Sequence, residues 1–60
     1  MKFRVFDKQS NKYTDEIELY KNTEWYIDSN GKLYHSVPGL DKMFVSDMSR
    51  FEYHIIKETK

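Results

Sequence analysis

Sixty residues carry ten basic and ten acidic side chains, 38% hydrophobic and 17% aromatic residues, and no cysteine. A chain of this size forms one domain, 1–60, and has no room for a multidomain enzyme; without cysteine it has no disulfide framework, no cysteine-ligated zinc and no thiol nucleophile. A formal net charge of zero excludes a strongly basic chromatin-type binder.

Lys2–Phe6 opens the chain as a strand, with Phe3 and Val5 on one face and Lys2, Arg4 and Phe6 on the other. Residues 7–12, DKQSNK, form a polar turn, and 17–20, IELY, continue as a short strand. Residues 24–28, EWYID, face 32–36, KLYHS, across Ser29-Asn30-Gly31, because an Asn-Gly pair between aromatic-rich runs supplies the positive φ of a hairpin turn. Val37-Pro38-Gly39 breaks the chain again. Residues 40–48 carry two patterns: Leu40, Phe44 and Met48 at helical spacing, and Lys42–Ser46 as a strand, which the β-branched and aromatic content favours. Residues 50–57, RFEYHIIK, alternate Phe51, Tyr53 and Ile55 against Arg50, Glu52 and His54, and the last three residues fray. The chain has no alanine, which also favours strand over helix.

The expected fold is therefore all-β, or β-rich α+β: a small curled antiparallel sheet or partly open barrel of four to five strands, with at most one short helix near 40–48. Its core is read as Phe3, Val5, Ile17, Leu19, Trp25, Ile27, Leu33, Phe44, Phe51, Tyr53 and Ile55. The adjacent pairs Val5-Phe6, Trp25-Tyr26 and Phe44-Val45 point opposite ways on a strand, so one member of each faces outward unless a second layer covers it. With so small a core, a homodimer is a plain physical expectation.

The opening K-F-R-V-F-D-K-Q-S-N-K-Y, Lys2 to Tyr13, resembles the start of YopX-like proteins of phages and prophages of low-GC Gram-positive bacteria. Asp28–Gly31 before Lys32-Leu33-Tyr34, and a strand starting at Arg50-Phe51-Glu52, extend the likeness. Phe6 stands where that family usually has tryptophan, and longer relatives continue into a glycine-rich segment that this short form lacks. The resemblance implies a largely β accessory protein of phage or prophage origin, acting in the cytoplasm of the bacterial host cell. It carries over no catalytic residue.

The residues themselves give no enzyme signature. No serine lies in a G-x-S-x-G elbow, and the two glycines, Gly31 and Gly39, belong to no phosphate loop. His35 and His54 match no metal spacing, so neither a cofactor nor a metal is expected. No apolar run approaches the length of a membrane helix or a signal peptide. Charge is polarised instead. Residues 1–12 set Lys2, Arg4, Lys8 and Lys12 against Asp7, net +3, whereas 13–28 set Asp15, Glu16, Glu18, Glu24 and Asp28 against Lys21, net −4. If 2–6 and 50–57 pair, Lys2, Arg4, Arg50 and His54 share an outer face with Phe6, bordered by Lys8 and Lys12. A basic sheet face with an aromatic residue is a stacking platform for nucleic acid, preferably single-stranded. The competing expectation is a modulator of a host or defence enzyme, which meets its protein partner through the acidic segment or exposed aromatics.

Overall fold

A computed structural model describes residues 2–57 and is all-β. Six strands, β1 (Lys2–Asp7), β2 (Lys12–Tyr13), β3 (Trp25–Ile27), β4 (Leu33–Ser36), β5 (Met43–Val45) and β6 (Phe51–Ile56), are divided between two antiparallel sheets of order β2-β1-β6 and β3-β4-β5. Neither sheet closes into a barrel. Among the described residues no helix is long and apolar enough to cross a membrane. The fraying expected of the last three residues lies outside the described residues.

The first sheet follows directly from alternation. Arg4 pairs with His54, Val5 with Tyr53 and Phe6 with Glu52, so Phe3, Val5, Phe51 and Tyr53 share the inner face. In the second sheet Trp25 pairs with His35, and His35 with Phe44. The core is the meeting of these two inner faces. Val5, Leu33 and Phe51 are buried, with Phe3, Tyr20, Trp25, Ile27 and Tyr53 packed against them. Phe51 joins the sheets: its ring lies 5.4 Å from that of Trp25 and 5.8 Å edge-on to Tyr20.

Three of the reversals between strands are organised by an aspartate whose carboxylate accepts backbone N–H groups of its own turn. Asp7 accepts from Gln9 N–H and from the Ser10 hydroxyl, with Asn11 at φ +57° completing the turn. Asp28 accepts from Asn30 and Lys32 N–H and from the Tyr34 hydroxyl. Asp47 accepts from Ser49 N–H, and its carbonyl takes the N–H groups of Arg50 and Phe51.

The hairpin expected at Asn30-Gly31 is present, but it is wider than a two-residue turn. Ile27 pairs with Leu33, and positive φ falls on Gly31 (+82°) and not on Asn30. The Asp28 carboxylate spans the longer loop and holds it. A Cβ added to Gly31 would meet the Tyr53 hydroxyl at 3.3 Å, and that hydroxyl donates to the Gly31 carbonyl. Gly31→Ala is therefore expected to destabilise by about 1 kcal/mol or more, read as a lower urea midpoint at unchanged slope.

Three expectations are corrected. Residues 17–20 are not a strand: Thr14–Glu16 and Glu18–Tyr20 form two 3₁₀ turns. A three-residue period turns Thr14, Ile17 and Tyr20 toward the protein and leaves Leu19 77% exposed, so Leu19 is not core and Tyr20 is. Ile55, at 55% exposure, also leaves the core, because it pairs with Phe3 near the end of the sheet, beyond the cover of the second one. At 40–48 the strand reading holds. Phe44 alone is half-buried beside His35, whereas its helical-spacing partners Leu40 and Met48 are exposed.

Candidate functional site

The outer face of β2-β1-β6 gathers Lys2, Arg4, Phe6 and His54, as alternation required, and adds Tyr13, which pairs with Phe6 across β2. The rings interlock. Phe6 is stacked on His54 at 6.0 Å and edge-on to Tyr13 at 5.1 Å, and the Arg4 guanidinium lies 3.8 Å from the centre of the Tyr13 ring. The Glu52 carboxylate can only accept, so in the neutral imidazole Nε2 of His54 donates to it at 2.6 Å. Nδ1 then accepts from the Tyr13 hydroxyl at 2.8 Å. That bond to His54 is the main cause holding the Glu52 carboxyl below its ordinary range, with Lys8 adding to it.

Arg4 and Lys8 already have partners. Arg4 makes a bidentate pair with Asp15 at 2.7 and 2.8 Å, which lowers the Asp15 carboxyl and raises the guanidinium. Lys8 lies 3.8 Å from Glu52 and donates to the Met48 carbonyl. Lys12 is exposed at the edge of β2.

Arg50 does not join this face. It stands in the turn before β6, where strand alternation does not govern it, and its guanidinium reaches inward to both carboxylate oxygens of Asp7 (3.1 and 3.3 Å) and to the Tyr20 hydroxyl (3.2 Å). It is a structural residue. Asp7, fully buried, is the centre of this network and was missed by hydrophobic patterning; the Asp-x-x-Ser spacing of Asp7 and Ser10 was the available signal.

Four of the five carboxylates of the acidic segment are likewise occupied. Asp15 holds Arg4, Glu16 accepts from the Tyr13 N–H, Glu18 lies 3.7 Å from Lys21, and Asp28 organises its turn. A groove of about 560 Å³ lies between β1 and the 3₁₀ turns, with Phe3, Val5 and Trp25 among its apolar lining and charges of both signs around them.

The outer face of β3-β4-β5 is of another kind. Tyr26 pairs with Tyr34, Tyr34 with Val45, and Met43 with Ser36, opposite in direction to Trp25, His35 and Phe44. Tyr26 is 56% exposed, Val45 57% and Met43 42%. No layer of the described residues covers this patch, as the outward members of the pairs Trp25-Tyr26 and Phe44-Val45 required.

The two histidines lie in different sheets. His35 sits between the rings of Trp25 and Phe44, with Nδ1 2.7 Å from the Ser46 hydroxyl. Among the described residues no three His, Asp or Glu side chains are grouped to hold a metal ion. Comparison with protein-family models, with curated proteins and with solved structures finds no match to this chain.

Proposed function

We propose that this chain is a non-catalytic binding domain that engages a protein partner through the uncovered face of β3-β4-β5. The observation that carries this reading is the apolar surface of Tyr26, Tyr34, Met43 and Val45 on one side of a sheet whose other side is the core. Tyrosine and methionine are residue types enriched at protein interfaces, and aligned exposure of this kind costs solubility unless a partner uses it. The acidic segment contributes little to this reading, since the carboxylates of Asp15, Glu16, Glu18 and Asp28 serve local structure. The resemblance of residues 2–13 to YopX-like proteins supports a phage or prophage origin, and a modulator of a host or defence enzyme in the bacterial cytoplasm is the role consistent with it.

The test compares the natural chain with a Tyr26→Ser, Val45→Ser double variant as bait in extracts of Gram-positive bacteria. Both positions are more than half exposed, so the variant is expected to keep its cooperative melt. A specific protein retained by the natural chain and lost by the variant supports the reading. Equal retention by both, or none by either, overturns it.

A second reading rests on the Arg4, Phe6, Tyr13 and His54 cluster, which offers single-stranded nucleic acid stacking rings beside cations. Exposed ion pairs such as Arg4–Asp15 contribute little to stability, so a phosphate can replace the carboxylate at small cost. Asp15 and Glu52 on the same face argue against strong binding. With Lys2, Arg4, Lys8 and Lys12 as the only phosphate contacts, the salt slope is at most about −3. Titration of labelled protein with a short oligonucleotide decides it: salt-sensitive shifts confined to Lys2, Arg4, Phe6 and Tyr13 favour this reading, and a flat titration at low salt removes it.

A further inference from the structure

Strand β6 ends the first sheet, and among the described residues its six residues form the longest strand edge that lacks a neighbour. Its register with β1, together with the bond from Lys8 N–H to the Arg50 carbonyl, sets the direction of its backbone groups. Residues 52, 54 and 56 exchange bonds with β1, and 51, 53 and 55 point away from it. The Phe51 N–H is taken by the Asp47 carbonyl at 2.9 Å. Among the described residues, no backbone bond from another element reaches the outward N–H or carbonyl of Tyr53 or Ile55. Two usual protections of an edge are missing as well: Phe51–Ile56 contains no proline and no lysine, and it ends in two exposed isoleucines, Ile55 at 55% and Ile56 at 39%.

We propose that β6 pairs antiparallel with β6 of a second copy about a two-fold axis at Tyr53, joining two β2-β1-β6 sheets into one of six strands. The choice of axis follows from cross-strand chemistry. With the axis at Tyr53, Phe51 faces Ile55 of the second copy and Glu52 faces its His54, so apolar meets apolar and acid meets imidazole. Moving the axis to Glu52 sets two glutamates opposite each other. Moving it to His54 sets Glu52 against Ile56 and Phe51 against Lys57. At Tyr53 the outward groups also match. The two Tyr53 residues exchange both of their bonds, and each Ile55 N–H donates to the opposite Phe51 carbonyl, which the Asp47 bond leaves open. The pairing covers Ile55 and satisfies backbone groups that a core this small leaves to water. It does not rest on the apolar face of the second sheet.

Sedimentation equilibrium of the full chain tests the dimer, with Ile55→Pro as the discriminating variant. The Ile55 N–H is not used by β1, so proline removes a bond of the dimer and none of the monomer's ladder. Ile55→Lys, which keeps the backbone donor and charges the contact with Phe51, is measured beside it in case the proline unfolds the strand. The natural chain is expected to be dimeric, and either variant to raise the dissociation constant roughly tenfold or more while the thermal melt stays cooperative. Glu52→Cys and His54→Cys chains, oxidised as a mixture, are expected to give a disulfide-linked heterodimer that neither gives alone, because 52 and 54 face each other at a close non-hydrogen-bonded position. A natural chain that is monomeric up to millimolar concentration overturns the proposal, as does a dimer indifferent to both Ile55 variants. Cross-linking of either cysteine variant with itself overturns the register.

Discussion

Replacing Asp7 with alanine is expected to cost about 3 kcal/mol, because it removes a buried carboxylate that accepts four hydrogen bonds from Gln9, Ser10 and Arg50. Asp7 is 0% exposed and closes the turn between β1 and β2 while holding Arg50 at the start of β6. A chain of this length has a total stability of roughly 3–9 kcal/mol, so the loss removes a third or more of it. The bond from Arg50 is the largest cause that lowers the Asp7 carboxyl below its ordinary value of 3.8, and the Ser10 and Gln9 bonds add to it. A depressed native value means that the stabilisation is complete above the unfolded value and is lost as pH falls through the native one. Asp15, Asp28, Asp47 and Glu52 are shifted in the same direction by Arg4, by the Lys32 N–H, by Ser49 and by His54, so acid weakens three turns and one sheet face together. Urea titrations at a series of pH values below about 5 check this. Asp7→Asn should flatten the acid limb as well as lower the plateau; an unchanged limb would show that the other carboxylates carry it.

Phe51→Ala is expected to cost about 3–5 kcal/mol, a third or more of the total stability of so small a domain. The ring is 8% exposed and lies between Trp25 and Tyr20, with the Arg50 guanidinium 5.1 Å from its centre. Its removal opens a cavity where the two sheets meet. Phe51→Leu should recover about half of the loss, since it restores apolar volume without the ring contacts. Thermal melts followed by tryptophan fluorescence, which reports on Trp25 at the same junction, measure both. A cooperative melt at the natural temperature for Phe51→Ala would remove Phe51 from the core.

The strands that pair β1 with β6 were legible because alternation over five or six residues has one physical solution: Phe3, Val5, Phe51 and Tyr53 inward, Lys2, Arg4, Glu52 and His54 outward. The face predicted to carry function was legible for the same reason. Arg50 was misplaced because it stands one residue outside its strand, where a long side chain follows its best partner instead of the pleat. That partner, Asp7, was itself hidden, since a polar residue in a polar turn gives no pattern of burial. Leu19 and Tyr20 were exchanged because four residues carry too little pattern to separate a period of two from a period of three.

By itself the sequence determined that these residues fold as β-structure without cysteine chemistry, that a hairpin turns at Gly31, and that one residue of each adjacent apolar pair turns away from the core. These follow from composition, from the backbone freedom of glycine and from the two-residue repeat of a strand, all of which are local. Tertiary structure alone decided that the strands divide into two sheets, that Asp7 is buried, that the charges of Asp15, Glu16, Glu18 and Asp28 are taken by Arg4, Lys21 and their own turns, and that among the described residues the edge of β6 is left open. Each of these depends on which distant residues meet, and pairing energies between residues forty positions apart leave no periodic trace along the chain.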